Sequence, residues 1–425
     1  MNYDLLQGAR VVESSAFIAA PLAGLALAQF GTDVIRVDLP DGGIDYRRLP
    51  LAPAGRSLYW TGLNKGKRSL AIDFRRPEGK ELLQELVTCP DTPAASGGVL
   101  LTNIATSWLS HAVLSAKRRD LISCTIEGNA DGSTAVDYTV NCAAGFPFMT
   151  GEATRAAPVN HVLPAWDVAC AYHAAFSTVA ALARRKSDGQ GAELRMALSD
   201  VAFSLLSHLG FSTEAEILGQ DRAPIGNYLY GAFGRDFTTL DGRKIYLAGI
   251  SANQWKGLVR ACDATKDLQQ LQERMDLNFE HEGDRFQARE QIAAVIEPWV
   301  AARTLLELER AFAEHGVCWG PYRSVQEALR EDPRLSTDNP IFSEINTPGV
   351  GQHLAAGTPL RLVGETRGVP TAAPILGADT DAVLQDVLGL DSATLGRLHD
   401  SGVVAGPERD PLMPVRSNST GAAAA

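Results

Sequence analysis

Up to Glu127, the chain alternates strand-like apolar runs with helical patterns, and this order restricts the fold more than any other feature. The strand-like runs are ARVVESS, TDVIRVD, RSLAIDF, GGVLLTNI and DLISCTIEG, and AAPLAGLALAQFG and RPEGKELLQELV are typical of the intervening helices. Repeated strand–helix–strand units form a parallel sheet covered by helices, and such sheets bind ligands at the carboxyl ends of their strands. We therefore expect an α/β fold with a site lined by the loops after Glu13, Asp38 and Thr102.

A change in composition near Pro224 indicates a second domain. The chain there becomes rich in glycine and aromatic residues, and helical patterns follow between Gln254 and His315. Short strands after Pro321 are expected to return to the first domain. The predicted parts are a large domain at 1–205, a linker at 206–225, a smaller α+β domain at 226–320, a return to the large domain at 321–406 and a disordered tail at 407–425.

Charge and cysteine content exclude several classes of protein. The formal net charge of -11 disfavours nucleic acid as a partner, so any phosphate site must be a local basic cluster. The six cysteines show no C-x-x-C pair and the histidines no H-E-x-x-H spacing, so we expect neither disulfides nor a metal site. No signal-peptide pattern and no apolar run of membrane-spanning length occurs, which predicts a cytoplasmic protein that does not bind membranes.

Basic residues cluster in the segment NKGKRS, directly before a strand-like run. Such a cluster suits a ligand with several phosphates, although a solvated surface gives the same pattern. Further arginines follow the neighbouring strand, and coenzyme A (CoA) has separated phosphates that scattered cations can bind. The candidate basic contacts are Arg36, Arg47, Arg48, Lys65, Lys67 and Arg68.

The loop after the first strand offers small residues rather than a dinucleotide motif. It reads SSAFIAAPLAG and contains no G-x-G-x-x-G, which disfavours NAD. Ala19 and Ala20 at the helix start allow backbone N–H groups to approach an anion, or else they pack a buried helix. Together with Asn103, after Thr102, they complete the predicted CoA contacts. We expect no tightly bound cofactor, because CoA would arrive as part of the substrate.

Asp167 lies near the first turn of a long alanine-rich helix that follows Pro164. An acidic residue at this position is commonly a cap or a partner of the helix dipole. The same dipole keeps a carboxylate ionised, and the apolar neighbours Ala165, Trp166 and Val168 leave it poorly solvated, as suits a covalent nucleophile. No G-x-S-x-G motif occurs, so Asp167 is the candidate nucleophile.

These features together resemble the class III CoA-transferases, the family that includes formyl-CoA, carnitine-CoA and α-methylacyl-CoA enzymes. The resemblance runs from about Leu6 to Gly406 and rests on GARVVESSAFIAAPLAGLALAQFGTDVIRVD, SLYWTGLNKGKRSLAIDF and the Asp167 helix followed by GQGAELRMALSD. It implies an acyl-CoA substrate, catalysis by Asp167 and an interlocked homodimer. Each chain would have a large Rossmann-like domain built from both chain ends and a smaller central domain.

Within this family, the segments GGIDYRRLP, NHVLPAWD and GNYLYGAFGRDF are similar to members that move CoA between the two carboxyl groups of one methyl-branched unsaturated diacid. The catalytic His of the racemases and its partnering acid are replaced near Val136 and Ser251. An enclosed intermediate requires a closed pocket, so we expect a substrate pocket or lid at Asn227, Tyr228, Gly231, Phe233 and Gly234. An intermolecular dicarboxylate CoA-transferase, an acyl-CoA racemase and a CoA-binding regulator remain open alternatives.

Overall fold

The computed structural model describes residues 2–154 and 157–412. The elements of the first half alternate as the sequence predicts. The strands are β1 (Arg10–Ser14), β2 (Asp33–Asp38), β3 (Arg68–Ile72), β4 (Val99–Thr102), β5 (Ile122–Glu127) and β6 (Ala192–Ala197). The helices are α1 (Ala19–Gln29), α2 (Leu58–Leu63), α3 (Pro77–Thr88), α4 (His111–Ser115), α5 (Asp137–Ala143), α6 (Phe146–Met149) and α7 (Ala165–Asp188).

The second half is richer in helices. Its strands are β7 (Phe233–Thr238), β8 (Lys244–Gly249), β9 (Cys318–Pro321), β10 (Phe342–Thr347), β11 (Gly351–Ala356) and β12 (Val404–Ala405). Its helices are α8 (Leu198–His208), α9 (Phe211–Leu218), α10 (Ala252–Ala261), α11 (Thr265–Met275), α12 (Glu282–Gln287), α13 (Arg289–Ala301), α14 (Leu305–His315), α15 (Val325–Glu331), α16 (Thr380–Leu388) and α17 (Ser392–Asp400). None of these helices combines the length and the apolar character needed to cross a membrane.

The main sheet has the strand order β12–β3–β2–β1–β4–β5–β6. Strands β1 to β6 run parallel, and the short β12 pairs antiparallel with β3 at one edge. Val12 of β1 lies opposite Ile35 on one side and Leu100 on the other. Consecutive residues of β1 to β4 are almost all buried, so both faces of these strands are covered by helices, whereas β6 at the sheet edge is partly exposed. The predicted α/β class with a large parallel sheet is confirmed.

Contacts among the described residues divide the chain into two compact units. The first comprises residues up to Ala143, residues 162–210 and residues from Pro333 onward, and the second comprises residues 144–161 and 211–332. The sequence predicts that residues 144–161 belong to the large domain. Phe146 instead packs edge-on against Phe211, and the backbone of Gly226 donates to Gly151, so this segment belongs with the second unit.

The second unit has its own core. Its sheet, β7–β8–β9, is antiparallel, and helices α10 to α14 surround it. Phe233 of β7 is fully buried and its ring lies 5.9 Å from that of Trp255. Phe312 of α14 packs in the same core. This apolar core explains why aromatic residues are frequent in the sequence after Pro224.

The C-terminal segment is ordered beyond the predicted boundary at 406. Residues Pro407–Arg409 form a 3-10 turn and Asp410 is buried. The Asp410 carboxylate accepts a hydrogen bond of 2.6 Å from the Tyr46 hydroxyl, which satisfies a buried polar pair and fixes the segment. The predicted disordered tail therefore does not begin at residue 407, and residues 413–425 lie outside the described residues.

Helices α1 and α7 pack closely against each other through small side chains. The contacting face of α7 is buried at Cys170, Ala171 and Ala174, and α1 is rich in buried alanines. A Cβ atom on Gly24 of α1 would collide with the Glu13 carboxylate beneath the helix. Small residues are therefore needed in α1 because a buried ionic cluster lies directly below it.

That cluster joins three neighbouring strands. Arg36 of β2 contacts the carboxylates of Glu13 at 3.1 Å, Asp38 at 2.9 Å and Asp45 at 3.4 Å, and its side chain is fully buried. Lys67, just before β3, lies 2.9 Å from Glu13 and donates also to the Pro21 carbonyl. Buried charges are tolerated only when they are paired in this way.

This arrangement corrects three of the predicted CoA contacts. The Arg36 guanidinium contacts three carboxylates. The Lys67 ammonium donates hydrogen bonds to the Glu13 carboxylate, the Pro21 carbonyl and the Asn64 side chain. Neither retains a donor for a phosphate. Arg68 begins β3, so it lies at the amino end of the parallel strands, where it pairs with Asp33. We therefore remove Arg36, Lys67 and Arg68 from the CoA contacts.

The two kinds of ion pair predict different costs of substitution. Arg36→Met leaves buried carboxylates without their counter-charge, and we expect a loss of about 3–5 kcal/mol in the free energy of unfolding. Arg68→Ala breaks a partly exposed pair and is expected to cost about 0–1 kcal/mol. Urea denaturation of both variants measures the difference, and equal small losses would show that the buried cluster does not stabilise the sheet.

Candidate active site

A cavity of about 610 Å³ opens at the carboxyl ends of β1, β4, β5 and β6. Loops that follow these strands form its walls together with the first turn of α7. Parallel sheets with helices on both faces bind ligands at this position. The described residues that concern the chemistry are Ala19, Arg48, Tyr59, Asn103, Asp137 and Asp167. We therefore treat this cavity as the candidate active site.

Asp137 fixes the start of α7. Pro164 precedes the helix and offers no side-chain cap. The Asp137 carboxylate instead accepts the backbone N–H groups of Trp166 at 2.7 Å and of Asp167 at 3.1 Å. Asp137 is itself buried, although it stands at the start of another helix, α5. It thus supplies from a distant part of the chain the cap that a helix N-terminus requires, and it orients Asp167 toward the cavity.

The same contact changes the acidity of Asp167. Burial and, to a smaller extent, the negative charge of Asp137 raise the pKa of its carboxyl to about 7, although the positive charge of Arg48 acts in the opposite direction. The sequence predicts that the helix dipole keeps Asp167 ionised. Asp137 occupies the N–H groups that carry much of that dipole, and its charge opposes a second carboxylate. Near neutral pH, Asp167 therefore exists in both protonation states.

Arg48 lies between two aromatic rings at the cavity wall. Its guanidinium carbon is 5.2 Å from the centre of the Phe17 ring and 5.4 Å from that of Tyr59. Cation–π contacts of this kind hold the planar group without using its N–H donors. Burial raises the pKa of the Tyr59 hydroxyl, and the charge of Asp167 contributes in the same direction. Tyr59 therefore stays a neutral donor.

The loop that carries Phe17 is held in an unusual conformation. Phe17 has a φ of 64°, a left-handed value that bulky residues rarely adopt. Its N–H donates to Asp45 at 3.0 Å, and the Asn103 side chain both accepts from and donates to the backbone of Ala16. Side chains from two other strand ends thus stabilise the strained loop that begins α1.

The remaining predicted CoA contacts differ in their placement. Ala19 and Asn103 line the cavity, whereas Ala20 is fully buried inside the first turn of α1. Arg47 is exposed next to Arg48. Lys65 lies apart from this cavity, where it donates to the Ala356 carbonyl and burial lowers its pKa. The structure therefore brings Ala19, Arg48 and Asn103 together with Asp167, and it does not bring Lys65 to the same cavity.

The predicted lid residues belong to the second unit. Asn227 is exposed and Tyr228 is half-buried, with its hydroxyl accepting from Arg235 at 3.1 Å. Gly231 has a φ of +80°, which suits a turn before β7. Phe233 and Gly234 lie within β7, and Phe233 is fully buried in the core of this unit. Phe233 is thus a core residue, and its assignment to a mobile lid is corrected.

Sequence reasoning missed three residues of the cavity. Asp137 and Tyr59 line it, as does Phe17. Asp137 stands ten positions after the end of β5, and Tyr59 lies in the short helix α2, so neither directly follows a strand end. The loop after Glu13 predicted the position of Phe17 but not its left-handed backbone. No periodic pattern marks a residue that caps a helix from elsewhere in the chain.

Comparison with known proteins decides the family. A model of CoA-transferase family III matches residues 6–380. The chain belongs to this family. It is 50% identical over 407 residues to the 2-methylfumaryl-CoA isomerase of Chloroflexus aurantiacus, which covers 95% of this chain and 99% of that protein. It is 27% identical over 432 residues to a formyl-CoA:oxalate CoA-transferase of Rhodopseudomonas palustris, which covers 95% and 98% of the two chains.

The fold agrees with this family. The crystal structure of a CAIB/BAIF family protein from Brucella suis superposes with a TM-score of 0.73 and 23% sequence identity, over 91% of this chain and 100% of that one. A likeness at this level of identity supports the fold alone. The expected resemblance to class III CoA-transferases is confirmed by the family match.

The raised pKa of Asp167 predicts a gain in stability when the charge is removed. Ionisation of Asp167 is less favourable in the folded protein than in the unfolded chain, so folding stability falls as pH rises from the ordinary value of 3.8 toward about 7. Asp167→Asn should therefore increase the melting temperature by a few degrees at about pH 8.

The increase should shrink as pH falls from about 7 and disappear only below about pH 3, where both the folded and the unfolded state are protonated. Asp400→Asn, at the exposed end of α17, is the matched control for the loss of one negative charge. A lower melting temperature for Asp167→Asn at high pH would contradict the raised pKa.

Proposed function

We propose that the protein catalyses an intramolecular transfer of CoA that converts 2-methylfumaryl-CoA into 3-methylfumaryl-CoA. The observation that carries this proposal is the identity, over nearly the whole chain, with an isomerase of that substrate. The carboxyl group of Asp167 in a cavity at the strand ends supports it, because a CoA-transferase of this type needs a single nucleophile beside the thioester.

The first half of the reaction moves CoA to the enzyme. The Asp167 carboxylate attacks the C1 thioester carbonyl, and the C–S bond breaks to give a mixed anhydride and a CoA thiolate. The thiolate then attacks the aspartyl carbonyl of the anhydride. This step releases the free diacid as its dianion and leaves an aspartyl-CoA thioester.

The second half returns CoA to the other carboxyl group. The released diacid must reorient within the pocket, because its trans geometry keeps the C4 carboxylate away from the aspartyl thioester. The C4 carboxylate then attacks the aspartyl thioester, which forms a second anhydride and frees the thiolate. Attack of the thiolate at C4 gives the product thioester and restores the Asp167 carboxylate.

Several groups are proposed to hold the substrate. Backbone N–H groups near Ala19 and Ala20, at the N-terminus of α1, suit the oxyanion of each tetrahedral intermediate. Asn103, Arg47 and Lys65 are retained as proposed CoA contacts. The segment around Tyr228 is proposed as the lid that retains the diacid.

A racemase is less well supported. The resemblance places the catalytic histidine of the racemases at Val136, and Val136 lines the cavity in this structure. An aliphatic side chain cannot transfer the α-proton that racemisation requires. An intermolecular CoA-transferase uses the same aspartyl chemistry, so only an experiment separates it from the proposed reaction.

We also propose that the protein works as a cytoplasmic homodimer. Large apolar side chains are exposed along α7 and α8, including Tyr172, Phe176 and Phe203. Exposed apolar side chains of this size on two helices in contact are typical of a protein interface. All six cysteines are free thiols, which suits a reducing compartment.

Product analysis tests the proposed function directly. We expect enzyme and 2-methylfumaryl-CoA alone, without any acceptor acid, to give 3-methylfumaryl-CoA. Labelled free mesaconate added to the mixture should not enter the product, because the released diacid stays in the pocket. Label in the product at the rate of turnover would support an intermolecular transferase instead. Absence of any turnover would favour a CoA-binding regulator.

The pH dependence of the reaction follows from Asp167. Its carboxyl must be ionised to attack, so kcat/KM should increase about tenfold per pH unit below about 7 and level off above it. Asp137→Asn keeps an oxygen acceptor for the α7 N–H groups but removes the charge that raises the pKa of Asp167. We expect the midpoint of the profile to move to lower pH.

Asp167→Asn is the reference variant for that profile and should lose at least ~10³-fold in kcat at every pH. An unshifted midpoint in Asp137→Asn would show that Asp137 does not control the acidity of the nucleophile. Near-normal turnover in Asp167→Asn would contradict covalent catalysis.

A further inference from the structure

Arg48 is the one cationic side chain among the described residues that line the cavity. Three carboxyl groups, those of Glu127, Asp137 and Asp167, belong to the same lining. Within residues 2–154 and 157–412, no carboxylate lies at ion-pair distance from the Arg48 guanidinium. Arg36, by contrast, is surrounded by acidic partners. Arg48 thus offers a positive charge that no described side chain neutralises.

The geometry around Arg48 prepares its donors for a ligand. Phe17 and Tyr59 contact the guanidinium through their rings, which leaves the N–H groups at its edge free. A guanidinium fixed in this way binds a carboxylate through two parallel hydrogen bonds. The strained backbone of Phe17 and its hydrogen bond to Asp45 keep one of the two rings in position. Arg48 is exposed, and these two rings are the contacts that orient its guanidinium.

The chemistry of the substrate supplies the matching group. On the proposed function, the acyl chain carries a thioester at one end and a free carboxylate at the other. That carboxylate enters a cavity lined by the carboxyl groups of Asp137 and Asp167, where an unpaired negative charge is strongly disfavoured, whereas the third acidic residue, Glu127, is paired with Arg195. Arg48 lies close enough to Asp167 for its charge to lower the pKa of that carboxyl. Arg48 and Asp167 also line the same cavity, so a short diacid bound there can present one carboxyl group to each.

We propose that Arg48 binds the free carboxylate of the acyl group and thereby makes the site selective for CoA thioesters of short dicarboxylic acids. This inference rests on the proposed function and deepens it. Arg48 binds the C4 carboxylate while Asp167 reacts at C1. After the diacid has reoriented in the pocket, Arg48 binds the C1 carboxylate instead. It thus replaces the expectation that Arg48 contacts a CoA phosphate.

A pair of substrates tests this assignment. In 2-methylcrotonyl-CoA a methyl group replaces the free carboxylate of 2-methylfumaryl-CoA, and the rest of the acyl chain is unchanged. Both thioesters can form the aspartyl anhydride and release CoA, so incorporation of labelled CoA into each thioester measures kcat/KM without requiring isomerisation. All measurements are made well above pH 7, where Asp167 is ionised with or without Arg48.

We expect Arg48→Gln to lower the exchange rate with 2-methylfumaryl-CoA by about 10- to 100-fold and to leave that with 2-methylcrotonyl-CoA within about threefold of the parent. The second substrate also shows that the variant is folded. Arg75→Gln, which removes an exposed arginine beside Asp73, is the matched control and should change neither rate.

Equal losses with both thioesters would overturn the assignment, because a contact with a CoA phosphate weakens every CoA substrate alike. Unchanged rates with both would also overturn it. If the proposed isomerisation does not occur, the result is different: the parent enzyme exchanges CoA but forms no 3-methylfumaryl-CoA. The ratio of the two exchange rates still decides the role of Arg48 in that case.

Discussion

The buried contact between Glu13 and its two cations determines the shape of the region next to the active site. Glu13 of β1 binds Arg36 of β2 and Lys67 before β3, and Lys67 also donates to the first turn of α1. Three strands and one helix start are thus tied to a single carboxylate. Because Gly24 leaves room for that carboxylate, α1 can lie close to the sheet. Buried ion pairs consequently position the loop and the start of α1, both of which border the cavity.

The second determining feature is a pair of carboxylates with separate tasks. Asp137 caps α7 and so fixes the orientation of Asp167, yet burial and, to a smaller extent, the charge of Asp137 raise the pKa of Asp167. A carboxylate that titrates near neutrality is poorly stabilised by its surroundings and is therefore a better nucleophile than one held by strong hydrogen bonds. Arg48 offsets part of this destabilisation. The ionised carboxyl group of Asp167, which carries out the chemistry, therefore lowers the free energy of unfolding.

Periodicity and turn residues were sufficient to predict the parallel sheet, the edge at which the cavity opens and the place of Asp167 in α7. They were insufficient for the basic residues. A run such as NKGKRS shows where cations occur, but it does not reveal that Lys67 meets Glu13, 54 positions earlier in the chain. Asp137 was missed for the same reason, since it caps α7 from 30 positions away. Long-range polar contacts leave no local pattern, whereas helices and strands do.

The covalent role of Asp167 is the central claim, and the transfer of oxygen atoms tests it most directly. In the proposed cycle Asp167 gives one carboxyl oxygen to C1 of the substrate and receives one from C4. A single turnover of 2-methylfumaryl-CoA labelled with heavy oxygen in its C4 carboxylate should therefore leave one heavy oxygen atom in the Asp167 side chain, as peptide mass spectrometry can measure. Product formation with no heavy oxygen in that peptide would contradict the account.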